Sequence, residues 1–384
     1  VTRVLEITIV GNPIMHHIVL GIDPTPLGMA PFVLATNESV SGWATELDLK
    51  LPNASYYVGP CIAGHVGADT AAAILAEGPH RSTEMQLLVD VGTNAEIVLG
   101  NTVQQFAASS PTGPAFEGAQ ISAGQRATAG AIEHVRIDRQ TLEPRVKVIG
   151  SDLWSNEPGF IESLGDTMVT GVCGSGIIEV IAEMYLSGII DQDGVVRGEL
   201  ASKSPRIVGD ERTFSYLFYD HGGTKLYVTQ NDVRAIQLAK AALRAGIDLL
   251  VEHAGSPIVH DIRLAGAFGA HIDPVYAMVL GLVPDCPVAG VRSVGNAAGA
   301  GAVQALLSRK LRREMESAVR KVTKIETATE PRFQQLFVEA MAFPHKTAET
   351  PNLAKVIDLP VRVATTETST RSGRRRRSTG GVAE

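Results

Sequence analysis

The chain has 384 residues and a formal net charge of −7, with 45% hydrophobic and 20% charged residues. That length exceeds what one core usually serves, so two lobes are expected, and the acid excess argues against nucleic acid as a partner. No uninterrupted apolar run approaches the roughly 18 residues of a membrane-spanning helix, so no membrane partner is expected.

Residues 5–10 alternate and then run apolar, predicting a strand that Gly11-Asn12-Pro13 ends. Residues 14–20 predict a short helix closed by Gly21, with His16 and His17 inside it. Neighbouring helix residues point to different faces, so this pair is expected to pack or cap and not to chelate a metal. Residues 28–31 and 52–60 read as loops, and the Ala-rich stretch 66–76 reads as a tightly packed helix opening at Gly67-Ala68-Asp69-Thr70. Residues 87–99 predict a hairpin, Leu87-Leu88-Val89-Asp90 turning through Gly92-Thr93-Asn94 and returning from Glu96. A Gly-rich segment, 113–130, follows. Gly171 to Gly176 leads into an amphipathic helix ending at Gly188.

Thr229 and Asp232 have the spacing of a capping box. They open the clearest helix, with Val233, Ile236, Ala239, Leu243, Ile247 and Leu250 on one face and Gly255 at its end. Residues 262–269 predict a strand running into a Gly turn, and 291–294 another strand. Residues 295–301 open a helix expected to continue to about Lys321. Strands alternating with helices favour an α/β fold. From Lys346 onward Thr, Glu and Arg dominate, and a flexible tail is expected. Residues 371–384 carry five Arg and one Glu, a local +4, which leaves −11 on the remainder. The Arg374–Arg377 run is read as solvated tail.

Cys61, Cys173 and Cys286 are far apart, with no C-x-x-C pair. They argue against a zinc or iron–sulfur site within these residues and for a reducing, cytoplasmic compartment. The start, Val1-Thr2-Arg3-Val4, lacks the basic segment and cleavage site of a signal peptide.

The hairpin carries the most chemistry. An acidic residue at a strand end beside a Gly-Thr turn can wrap a phosphate. Gly92 lets backbone approach the ligand, the turn amides and Thr93 hydroxyl can donate to phosphate oxygens, and Asp90 can hold a hydrated Mg²⁺. The same residues also suit an ordinary hairpin turn. Three Gly-rich strand-to-helix turns accompany it, at 171–176, 265–269 and 295–301, each able to set helix-N-terminal amides against an anion. No Gly-Lys dipeptide occurs, which excludes a Walker A loop. His65 and Asp69 are spaced to share a helix face, with a structural hydrogen bond favoured over a catalytic pair.

The order of these blocks resembles the sugar kinase/Hsp70/actin superfamily, in which two ribonuclease-H-like lobes clamp ATP. The closer resemblance is to reductive activators of corrinoid-dependent methyltransferases. It rests on Gly11-Asn12 with Met15-His16-His17, on Ala30-Pro31-Phe32, on 60–69 (PCIAGHVGAD), on 90–96, on 113–118 (GPAFEG), on Cys173-Gly174-Ser175-Gly176, on 264–269 and on Gly295-Asn296. Together these span about residues 5–308. The resemblance implies a two-lobed ribonuclease-H-like α/β fold with an incomplete first lobe. The divisions are 1–86 as a first-lobe portion, 87–325 as a second lobe with the nucleotide site, 326–345 as an extension and 346–384 as tail.

It further implies an ATP-binding module that drives cob(II)alamin to cob(I)alamin on a corrinoid protein, with electrons from an upstream [2Fe–2S] domain not in this chain. Asp90, Gly92, Thr93 and Asn94 would hold phosphate and Mg²⁺, Asp90 through water. Gly174, Ser175 and Gly176 would supply a second Gly turn. Gly266, Ala267 and Gly269 would pack near adenosine. A homodimer is left open, and no catalytic residue is assigned. Three departures stand out: no cluster of Cys ligands, no phosphate hairpin before Leu5, and Ser109-Ser110-Pro111-Thr112 where the family is smaller and less polar. Two other functions remain: a small-molecule kinase of the same fold, with Glu96 or Asp69 as base, and a non-catalytic docking module.

Overall fold

The computed structural model describes residues 3–209, 212–269 and 272–360, the side chains of Ala267 and Phe268 aside. The Arg374–Arg377 run lies outside the described residues. The N-terminal unit is built on β1 (Glu6–Ile9), α1 (Pro13–Val19), β2 (Val40–Trp43), β3 (Ser55–Val58) and α2 (Ala68–Glu77). Asn12 caps α1 by accepting from the Met15 N–H, and Pro13 takes the first helical position. The sheet order is β1-β3-β2, with β3 parallel to β1. Segment 52–60, expected as loop, therefore contains the central strand of a sheet. Its Tyr56, Tyr57 and Val58 are buried, but it lies between β1, far upstream, and β2, and loop-type residues flank it, so no local pattern marks it.

The adjacent histidines pack, as expected of them, although they also meet each other. Both are buried, and their Nδ1 atoms lie 3.3 Å apart. His17 Nε2 accepts from the Ala35 N–H, so its Nδ1 carries the proton donated to His16.

A second unit begins with β4 (Gln86–Val91), β5 (Ala95–Gly100) and β6 (Gln105–Ser110), an antiparallel meander. There follow β7 (Ala131–Ile137), β8 (Pro144–Val148), α3 (Phe160–Leu164), β9 (Gly171–Val172) and α4 (Gly174–Leu186). Next come β10 (Ile207–Gly209), β11 (Phe214–His221), β12 (Thr224–Thr229) and α5 (Gln230–His253), then β13 (Asp261–Ala265), α6 (Gly266–Gly269) and α7 (Pro274–Leu280). The last elements are β14 (Val291–Gly295), α8 (Ala297–Leu307), α9 (Arg309–Val319), β15 (Val322–Lys324) and α10 (Phe333–Ala340).

The central sheet has the order β14-β13-β4-β5-β6-β15, with β13 parallel to β4 and to β14. A meander joined to parallel crossover strands is the expected ribonuclease-H-like arrangement. Both faces are covered: Leu87 and Val89 join the main core, while Leu88 packs with Ile74, Val98, Ala297 and Ala318. That explains the unbroken apolar run before Asp90. The small sheets β8-β7-β9 and β10-β11-β12 complete the unit.

The capping box at Thr229 and Asp232 forms, and the predicted stripe on α5 is buried. The long helix expected to about Lys321 is two helices. Ser308 takes an extended conformation (φ −146°, ψ 113°) between them, and its side chain caps α9 by accepting from the Leu311 N–H. α8 packs closely on α2, where a Cβ at Gly301 would lie 1.9 Å from the Ala72 carbonyl oxygen. Beyond Ile132, α4 meets the open side of β7. Glu179 there accepts the Val135 N–H, and Glu183 the Ile137 N–H.

The tail expected from Lys346 is anchored in its described part, though most of its side chains there are exposed. Asp285 accepts from Asn352 and Leu353, and Leu353 is fully buried. No described helix is long and apolar enough to cross a membrane.

Candidate functional site

The carboxyl ends of three parallel strands stop in one row. Ala265 pairs with Asp90 on one side and with Gly295 on the other. Each strand then passes into a Gly turn, through Gly92, Gly266 and Gly295. Open α/β sheets place ligands outside such strand ends. Gly266 is held at φ +90°, and a Cβ there would lie 2.6 Å from Asp90 Oδ1 and 2.7 Å from the Val91 carbonyl oxygen. Only glycine fits that approach.

The N-terminal unit brings a second carboxylate. The Gly11 carbonyl accepts from the Ala68 and Asp69 N–H groups at the start of α2. This joins the blocks 11–12 and 60–69 into one junction. Burial raises the Asp69 pKa. Burial, and then Asp69, push Asp90 up to about 6. Glu96, opposite Asp90 on β5, is pushed up to about 8 by burial and by the charges of Asp69 and Asp90. Three carboxylates from three elements thus share one desolvated neighbourhood. Among the described residues no three His, Cys, Asp or Glu side chains are placed to cage a metal. A cation here would keep waters and use ligand oxygens, as Mg²⁺ does.

The turn itself is clasped from behind. Thr112 Oγ1 donates to the Gly92 and Thr93 carbonyls at 2.8 and 3.0 Å, and the Gly113 N–H donates to the Thr93 carbonyl. The Thr93 hydroxyl donates to Glu117 at 2.9 Å, and the Gly92 N–H donates to the Asn94 carbonyl. Thr93 and Asn94 are exposed. Thr112 was not singled out as a site residue, although it lies in the polar stretch that departs from the family pattern. Ser109 hydrogen-bonds Glu96, and Ser110 donates to the Ala242 carbonyl of α5. Those polar residues brace the hairpin.

Gly174, Ser175 and Gly176 open α4, after a strand of a different sheet. A Cβ on Gly176 would lie 2.5 Å from the Ile132 carbonyl oxygen, and Ser175 Oγ donates to the Glu133 carbonyl at 3.3 Å. These contacts pack α4 on β7, in a different sheet from the row at Asp90. Gly269 packs on Leu264, and Ser293 donates to its carbonyl. Ala267 sits in α6 between the two glycines. His65 lies against Phe32, ring centroids 4.2 Å apart, and no hydrogen bond links it to Asp69 among the described residues. Burial pushes the Cys61 thiol up to about 12 and Cys286 to about 11, so neither offers a thiolate near neutral pH.

The fold and this row of strand ends define a sugar kinase/Hsp70/actin-type domain. A model of the C-terminal ASKHA domain of RACo matches residues 84–354, and a model of the RACo middle region matches residues 1–82. The chain belongs to the RACo family of reductive activators. It is 36% identical over 341 residues to the corrinoid activation enzyme RamQ of Eubacterium limosum, covering 85% of this chain and 54% of that protein. It is 28% identical over 244 residues to the [Co(II) methylated amine-specific corrinoid protein] reductase of Methanosarcina barkeri, covering 61% and 41%. The solved structure of a reductive activator for corrinoid, iron-sulfur protein superposes with a TM-score of 0.76 at 31% identity, over 90% of this chain and 53% of that one. The chain thus spans about half the length of these relatives.

Proposed function

We propose that this chain is the ATP-binding module of a reductive activator that drives cob(II)alamin to cob(I)alamin on a corrinoid protein. The observation that carries the reading is the contact of Gly266 with Asp90 at the level strand ends, beside a phosphate-type hairpin. Relatives named as a corrinoid activation enzyme and a corrinoid protein reductase support the partner class.

The residues fit Mg-ATP. Gly92, Thr93 and Asn94 would hold phosphate oxygens, the Thr93 hydroxyl turning to them from Glu117 and the Gly92 N–H from the Asn94 carbonyl. Asp90 would hold Mg²⁺ through water, and Gly266, Ala267 and Gly269 would leave room for adenosine. When bound, Mg-ATP supplies the binding free energy that makes an uphill reduction favourable. The protein's own part is to keep Asp90 desolvated and the turn clasped by Thr112. The electron would come from a [2Fe–2S] domain that these residues do not include. A cytoplasmic location accompanies this reading.

Mg-ATP binding by calorimetry, with Asp90→Ala alongside, tests it. Binding that the substitution abolishes supports the site. Equal binding by both proteins refutes it.

A further inference from the structure

The strands β7 and β8 form a ribbon whose inner face, with Val135 and Val146, is buried. On the outer face, cross-strand register sets Arg136 opposite Arg145 and His134 opposite Lys147. Like charges directly opposite destabilise a strand pair. The chain offsets only half of this. Glu179 pairs with His134 at 2.8 Å and with Arg136, while among the described residues no carboxylate pairs with Arg145, Lys147 or the neighbouring Arg139.

A cavity of about 600 Å³ opens here, with Arg136, Arg139, Arg145 and Asn156 in its wall. That volume is typical of small-ligand sites. Trp154 holds two of the guanidiniums, Arg145 at 5.0 Å and Arg136 at 5.7 Å from the ring centroid. Stacking of this kind leaves in-plane N–H groups free to donate. Arg139 spends one donor on the Asp358 carbonyl, at 3.2 Å.

Three carboxylates also reach the wall, but each already has donors. Asp138 accepts from the Gln140 and Thr141 N–H groups at 3.0 and 2.7 Å. Glu143 pairs with Arg206 at 2.8 Å. Glu183 accepts the Ile137 N–H at 3.1 Å and the Tyr276 hydroxyl. The formal charges balance, and Asp138 and Glu143 each keep one oxygen facing solvent, but Arg145 and most of Arg139 hold guanidinium forks that no carboxylate takes among the described residues, and those forks match phosphate and carboxylate oxygens.

We infer that this cavity binds a small polyanion bearing two or more phosphate or carboxylate groups. No residue of the 90–94 hairpin lines it, so the site is independent of the nucleotide reading.

Calorimetry with inorganic pyrophosphate, and separately with citrate, tests it on the whole chain, on Arg139→Gln/Arg145→Gln and on Asp90→Ala. Saturable binding by at least one anion is expected, about tenfold or more weaker in the double variant and unchanged in Asp90→Ala. The anion preferred tells phosphate from carboxylate chemistry. The ligand-free melting temperature of the double variant is read alongside, because Arg139 also holds the Asp358 carbonyl and Arg145 stacks on Trp154; a fold retained at the calorimetry temperature makes the loss one of binding. Two results overturn the inference: no saturable binding by either anion, or binding that the double variant keeps at the parent's affinity, whatever Asp90→Ala does.

Discussion

Gly266 lies so close to Asp90 that a single added carbon would sit 2.6 Å from the carboxylate Oδ1. The first prediction follows from it. Gly266→Ala adds that carbon at φ +90° and must move either Asp90 or α6. A stability loss of about 1–3 kcal/mol is expected. Mg-ATP affinity should fall by more than the melting temperature alone explains, because the displaced group is the proposed cation holder. Paired melting curves and calorimetry check this.

The carboxylates make cation binding depend on pH. Asp90 is pushed up to about 6 and Glu96 to about 8. Raised carboxyl groups bind protons more tightly in the folded state than in the unfolded chain. The ligand-free protein therefore loses stability as pH rises from the ordinary carboxylate range through about 8. Divalent-cation affinity moves the other way and strengthens over the same interval. Glu96→Gln should raise the melting temperature more at pH 8.5 than at pH 5. An equal gain at both pH values would remove the electrostatic cause.

Thr112 should matter more than its position between Pro111 and Gly113 suggests. Thr112→Val keeps the shape and removes the hydroxyl that serves two turn carbonyls. The expected cost is about 1–2 kcal/mol, with a several-fold loss of Mg-ATP affinity. Faster amide exchange at Gly92 to Asn94, with the central strands unchanged, would locate the effect.

Lys240 is fully buried on α5 and donates to the Ala342 and Pro344 carbonyls. Burial pushes its pKa well down. Lys240→Met leaves those carbonyls without a donor and should cost about 2–4 kcal/mol. Trypsin cleavage at Lys346 and Lys355, both exposed on a backbone anchored by the buried Leu353, should then be faster than in the parent.

Much of this was legible wherever a local pattern had one cause. The α5 stripe, the Thr229–Asp232 cap, the hairpin at Asp90 and the strand into Gly266 all read correctly, since each obeys a period or a turn rule. Ser55–Val58 did not, because the strand is short, its parallel partner β1 is remote and its flanks carry loop residues. Neither did the meeting of His16 with His17, nor that of Asp69 with Asp90 and Glu96, since each depends on how separate elements dock. The Gly turn at 174–176 looked like the other Gly turns. Only the sheet topology shows that Gly176 serves contact with Ile132. Ser308 shows the limit for helices: an amphipathic charged run continued past it, and the backbone did not.

The two carboxylates that α4 lends to β7 have a consequence for the protein's life in a crowded solution. An open strand edge offers a row of N–H groups on which another chain can grow a strand. Here Glu179 and Glu183 occupy the groups at Val135 and Ile137. An invading backbone would have to displace charged acceptors that the helix holds in register. Removing both, as in Glu179→Ala/Glu183→Ala, would expose a sticky margin beside Ile132, and self-association on warming would be the first sign of it.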